Sequence, residues 1–147
     1  MRLWHTSLIS VLPKEQLVGT WRELSAIAGS IKEKGTPNHI LVNFVMNYPM
    51  NHFISYAYYV REEMNKRGYR TMESVWKKIT SLVDNNDYNI LPINEVYYAK
   101  MDYVYFVICF YNLLEKYMCG SIPDEDFHKI VDIKDKKEEY YNAQLRK

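Results

Sequence analysis

The residues whose types could do chemistry are four histidines, two cysteines and the adjacent pair Arg22-Glu23. His5, His39, His52 and His128 show no HxxxH or HExxH spacing, and Cys109 and Cys119 do not form a CxxC pair. Zinc ligation needs imidazoles and thiolates clustered at such spacings, so it has no footing here. There is no Gly-rich phosphate loop and no GxSxG elbow. P-loop phosphoryl transfer, hydride transfer and serine hydrolysis are therefore unsupported, and no cofactor is called for. Arg22-Glu23 remains. On a helix turning about 100° per residue, Gln16, Gly19, Glu23, Ala26 and Ser30 share one side. Most of these neighbours are small, so Glu23 stands in an open trough where another backbone or a ligand can approach. Glycine inside a helix costs up to about 1 kcal/mol relative to alanine, which points to a close approach at Gly19. A carboxylate placed there can accept a proton and steady a cation. The same residues also fit a plain helix–helix contact at Gly19 with a surface Arg-Glu pair.

The elements that must position these residues are helical. Leu17, Trp21, Leu24, Ala28 and Ile31 form one stripe, which predicts a helix over 14–34 with Pro13 at its first position and a stop near Gly35. Residues 36–48 are ambiguous, and the apolar run from His39 to Met46 fits a short helix. Pro49 opens a helix over 50–67 that turns Phe53, Tyr56, Val60 and Met64 inward, with Gly68 as a left-handed stop. Thr71 is a plausible cap for a helix over 72–83 carrying Val75, Trp76, Ile79 and Leu82. A polar loop follows around 84–89. Asn94 then caps a central helix over 95–118, and Pro123 starts a last one over 123–135 whose charged tail is a solvated face. No segment alternates as strands with hairpin turns do. The expectation is an all-α, compact, single-domain irregular bundle of about five helices over residues 1–147, with an N-terminal arm over 1–12.

Composition bounds the partners. The net charge of +1 gives no support to nucleic-acid binding, so any such case rests on local clustering. Fourteen tyrosines bring apolar bodies with polar tips, suited to the edge of a core or to a wet groove. Cys109 and Cys119 fall on one predicted helix, too far apart to bridge, which suits a reducing compartment. The N-terminus lacks the pattern of a signal peptide, and the apolar stretch Tyr103 to Leu114 is too short to span a bilayer. The protein is expected to be cytoplasmic, without a membrane partner, and a monomer or homodimer.

Two blocks carry a family resemblance. Leu8-Ile9-Ser10-x-Leu12, Gln16-Leu17 and Trp21-Arg22-Glu23-Leu24 resemble the N-terminal block of the pyrimidine-dimer DNA glycosylases of the phage endonuclease V type, without a gap. Glu63-x-x-Lys66-Arg67-Gly68-Tyr69 resembles that family's K-R-G-aromatic helix end. Met1-Arg2-Leu3-Trp4-His5 and Asn38-His39-x-x-Val42-Asn43 look like a bacterial branch of it. The resemblance covers roughly residues 1 to 70. It implies a compact helical fold and a DNA glycosylase/AP lyase acting on damaged double-stranded DNA. In that family the chain's own α-amine attacks C1′ of the damaged nucleotide and forms an imine, and a glutamate on the first long helix moves the protons. An α-amine has an ordinary pKa near about 8, so a useful fraction is nucleophilic at neutral pH. The resemblance assigns the amine to Met1, the glutamate to Glu23 and a substrate-holding arginine to Arg22. The family nucleophile is a small residue exposed by removal of Met1, whereas position 2 here is Arg2, whose bulk keeps Met1 in place. The family also has an arginine three residues after the glutamate, where this chain has Ala26.

Further DNA contacts are sought nearby. Arg2, with Trp4 and His5 on the arm, can reach the DNA, the aromatic pair as a wedge in the base stack or else as a tether to the core. His39 either touches a phosphate or caps its own loop. Lys66, Arg67 and Arg70 suit phosphates, and equally suit a solvated helix end. The tyrosines from Tyr97 to Tyr111 belong to the core more than to a stacking platform. The alternative function is a non-catalytic nucleic-acid-binding or protein-interaction domain with the same fold.

Overall fold

Proline and glycine punctuation sets the first two helices. In the computed structural model, which describes residues 1–147, α1 spans Lys14–Lys34. Pro13 is its N-cap, one position earlier than expected, and Gly35 closes it at φ 75° with its N–H on the Ile31 carbonyl. α2 spans Met50–Lys66 behind Pro49, and Gly68 follows in the left-handed region at φ 80°. Three shorter-range corrections follow. α3 spans only Glu73–Thr80, and Met72, not Thr71, is its N-cap. α4 spans Tyr103–Met118, so it starts eight residues later than expected. Its cap is Asp102, whose carboxylate accepts the Tyr105 N–H at 2.8 Å, and not Asn94. α5 spans Asp124–Leu145, ten residues beyond the expected end. The Lys134–Glu138 pair at i, i+4 and the stacking of Tyr141 on Tyr103 hold its charged tail in helix.

The expected all-α architecture is what the chain adopts: five α-helices and four short 3-10 turns, with no strand. The 36–48 segment contains one of these turns, Asn43–Asn47. No helix is long and apolar enough to cross a membrane. Helix α1 packs on α2 and α3, and α5 packs on α4 and on the 3-10 turn Thr6–Val11. One buried apolar cluster draws on every α-helix and on the N-terminal segment, from Leu3 and Leu8 through Leu24, Phe53 and Phe106 to Ile130. The predicted stripe of α1 faces it, with Leu17, Trp21, Leu24 and Ala28 buried. Tyr97 and Tyr105 are core residues, whereas Tyr98 and Tyr111 are exposed. Cys109 is buried and Cys119 exposed, both as free thiols.

The N-terminal segment is an integral layer rather than a loose arm. Leu3, Trp4, His5, Leu8, Ile9 and Leu12 are all buried. Its length is too short to make a core of its own, so its order comes from what α2, α4 and α5 offer it.

Candidate active site

Four contacts fix the first residues. The Arg2 backbone N–H donates to the Glu23 carboxylate at 3.4 Å. The Tyr105 hydroxyl donates to the Leu3 carbonyl, and the Tyr56 hydroxyl donates to the Trp4 carbonyl at 2.6 Å. His5 Nε2 donates to the Met101 carbonyl at 3.0 Å, while its Nδ1 accepts from the Ser7 N–H at 3.1 Å and the Ser7 hydroxyl at 2.7 Å. A carbonyl only accepts, so this set of partners selects the neutral ring protonated on Nε2. Burial, with the Lys137 ammonium nearby, brings the His5 pKa down to about 4. Burial raises the Tyr56 and Tyr105 hydroxyls, the latter against the pull of the adjacent Arg2 guanidinium, so both remain donors. Extended backbone carbonyls at positions 3 and 4 thus find their partners in two buried phenols, and the chain start is held against α1.

The side of α1 that carries Glu23 is left uncovered, with Gln16, Gly19 and Ser30 partly exposed along it. Glu23 is partly buried, while Arg22 and Ala26 are exposed. Ser30 closes the far end by donating to the Thr36 carbonyl at 2.7 Å. The close approach expected at Gly19 is absent, since an added Cβ there would meet nothing within 4 Å. It occurs instead at Gly29, where a Cβ would stand 3.0 Å from Lys78 Nζ of α3. Gly19 therefore leaves the face beside Glu23 open on this chain. Met1 is 44% exposed at the mouth. Three covalent bonds separate its nitrogen from that of Arg2, which puts the α-amine within about 7 Å of the Glu23 carboxylate. An amine and a carboxylate at that range, with an unobstructed side, can perform nucleophilic addition with proton transfer.

The other anticipated contacts fall in different places. Trp4 and His5 lie in the core at 7% and 3% exposure, so they tether the segment and present no wedge to a base stack. His39 caps its own loop: its Nδ1 accepts the Leu41 N–H at 3.2 Å, and its own N–H donates to Asn43 Oδ1 at 2.9 Å. Lys66 and Arg70 are exposed at the end of α2. Arg67 is committed internally, donating to the Leu12 carbonyl at 2.7 Å, to the Ser10 carbonyl at 3.1 Å and to Glu63 at 3.0 Å. It satisfies the carbonyls that end the Thr6–Val11 turn. Arg67→Ala should therefore cost about 1–3 kcal/mol of stability, seen in the urea midpoint, by leaving those acceptors unpaired. A variant with wild-type stability would mean that solvent replaces both bonds. Tyr56 and Tyr105 escaped sequence reasoning as the residues that position the chain start. Helical period turns Tyr56 inward and places Tyr105 in the core, but gives no sign of the carbonyls their hydroxyls meet.

A family model described as pyrimidine dimer DNA glycosylase matches residues 1–77, the span that holds Met1, Arg22, Glu23 and Arg67. No curated protein and no solved structure matches the chain.

Proposed function

The chain belongs to the pyrimidine dimer DNA glycosylase family, and from that premise we propose that it is a glycosylase with AP lyase activity on damaged double-stranded DNA, working through its α-amine and Glu23. The observation that carries this reading is the contact between the Arg2 N–H and the Glu23 carboxylate, which keeps the chain start beside that acid on the uncovered side of α1. The nitrogen in contact is an amide and has no lone pair to offer. The reactive nitrogen is that of Met1, exposed one residue further out, and the productive state draws it inward.

The steps balance as follows. The Met1 amine attacks C1′ as the glycosidic bond breaks, and the base leaves with the bonding pair and takes up a proton. The surplus proton on nitrogen passes to Glu23 and from there to the ring oxygen, which is expelled as the protonated imine forms. Glu23, again a carboxylate, removes a proton from C2′. The freed electron pair expels the 3′ phosphate in a β-elimination, and water then hydrolyses the imine to restore the amine. Arg22, exposed beside Glu23, holds the phosphate backbone. Arg2 stands where it can take the contact that Ala26 does not supply. With few cations available, binding is modest and falls as salt rises.

Borohydride reduction on abasic-site duplex tests this. The free protein should cross-link, and acetylation of the α-amine should abolish the cross-link. A blocked protein that still traps would remove the α-amine as nucleophile. An unmodified protein that never traps would leave the non-catalytic binding domain as the reading.

A further inference from the structure

Resting on that reading, we infer that Lys100 is a further phosphate-binding residue of the same site, acting with Arg2 on the DNA strand that passes Glu23. It lies outside residues 1–77, so the family match assigns it nothing. Its neighbours are Tyr105, five residues on, and Phe44, far back in the chain. The Lys100 ammonium stands 4.3 Å from the centroid of the Tyr105 ring and 5.2 Å from that of Phe44. The Tyr105 hydroxyl is the group that holds the Leu3 carbonyl and meets the Arg2 guanidinium. The Arg2 backbone in turn meets Glu23. Lys100 and Arg2 therefore flank one phenol at the chain start.

The turn that presents Lys100 is well held. The Lys100 and Met101 N–H groups both donate to the Tyr97 carbonyl at 2.9 Å. The Lys100 N–H also donates to the Tyr48 hydroxyl at 3.2 Å. The Met101 carbonyl takes the His5 proton, so the same histidine that anchors the chain start anchors this turn. Tyr97, fully buried at φ 51°, fixes the turn from below.

Charge completes the case. The ion pairs of the chain are Arg61–Glu73, Arg67–Glu63 and Lys134–Glu138. Arg2, Arg22 and Lys100 take part in none of them. In a chain with 19 Lys and Arg against 18 Asp and Glu, these cations lack acidic partners, with Arg2 and Arg22 beside Glu23 and Lys100 linked to them through the Tyr105 phenol. An ammonium resting on ring faces is paired with no carboxylate, so the N–H donors that point away from the rings can meet an anion, and a phosphate is the anion that a strand running over this face supplies.

The bland reading is that Lys100 merely fastens its turn to the two rings. The experiment separates the two. Binding of the full-length protein to abasic-site duplex is measured over a salt series for wild type, Lys100→Met and Lys100→Arg, together with their thermal midpoints. Lys100→Met keeps a long flexible stem over the rings and lacks only the charge. Its slope of log K against log salt should be shallower by about 0.9, so that it is weaker at low salt and converges on wild type at high salt, and Lys100→Arg should restore the slope. An unchanged slope in Lys100→Met, with or without a lower thermal midpoint, overturns this inference alone. A wild-type protein that does not bind the duplex at all overturns it together with the proposed function.

Discussion

Glu23→Gln should lower strand cleavage of abasic-site DNA by about 100-fold or more, the scale of a lost general acid–base group. The exchange is nearly isosteric, and the amide oxygen can still accept the Arg2 N–H that now reaches the carboxylate at 3.4 Å. The chain start therefore stays where Tyr56 and Tyr105 hold it. Glutamine can neither carry the proton from nitrogen to the ring oxygen nor take one from C2′. DNA affinity and the urea midpoint should stay near wild type, which separates a chemical loss from a structural one. Single-turnover cleavage within about threefold of wild type would remove Glu23 from the proton path. Cleavage and stability falling together would make it a structural anchor of the chain start.

The second large effect concerns acid. The folded His5 ring has a pKa of about 4 against an ordinary 6.5, because it is buried, and Lys137 disfavours its charge further while Asp102 favours it. The folded pKa is depressed, so between these values the unfolded chain binds the proton that the folded chain refuses. Stability is then complete above about pH 6.5 and declines as pH falls, reaching its floor below about pH 4. The total from this one ring is about 3 kcal/mol by linkage. His52, whose pKa is also lowered by burial, acts in the same direction. Urea midpoints between pH 7 and pH 4.5 measure the decline, and His5→Gln should flatten most of it. A wild-type midpoint that does not move between pH 7 and pH 5 would show that the ring accepts a proton in place. Protonation of the folded ring, which sets in only as pH approaches about 4, also removes the acceptor for Ser7, so the chain start loosens and cleavage should decline there, below the onset of the stability loss.

Local punctuation made α1 and α2 legible, since Pro13, Gly35, Pro49 and Gly68 act within a few residues of themselves. The start of α4 was not legible. Both Asn94 and Asp102 are good caps by type, and what decides between them is Tyr97 in the left-handed region. An aromatic residue has no local reason to be there. Its N–H is taken by His52 at 3.0 Å, and its ring sits among Phe44, Tyr48 and His52, all assembled from elsewhere in the chain. The extension of α5 was hidden for a similar reason, because Tyr103, which stacks on Tyr141, is 38 residues away in sequence. In the site, the uncovered side of α1 that carries Glu23 followed from helical period alone. Trp4, His5 and Arg67 carry side chains that serve equally well at a surface or in a core, and only the carbonyls they meet decide. Lys100 left no trace in the sequence, because Phe44, the second ring beneath it, and Arg2, its companion at the Tyr105 phenol, are both far from it along the chain.

The clasp on the first residues has a consequence for the order in which the protein is made. Leu3 is bonded by Tyr105, and His5 by Met101, at separations of 102 and 96 residues. This segment is synthesised well before its partners and is therefore among the last to be seated. At roughly 5–20 residues per second, it waits on the order of five to twenty seconds for its partners to be synthesised. Until then its buried apolar side chains have only α1 and α2 to lean on. Such long-range closure slows folding, the logarithm of the rate falling as contacts lie further apart in sequence, and it defers completion of the candidate site until α4 has been synthesised.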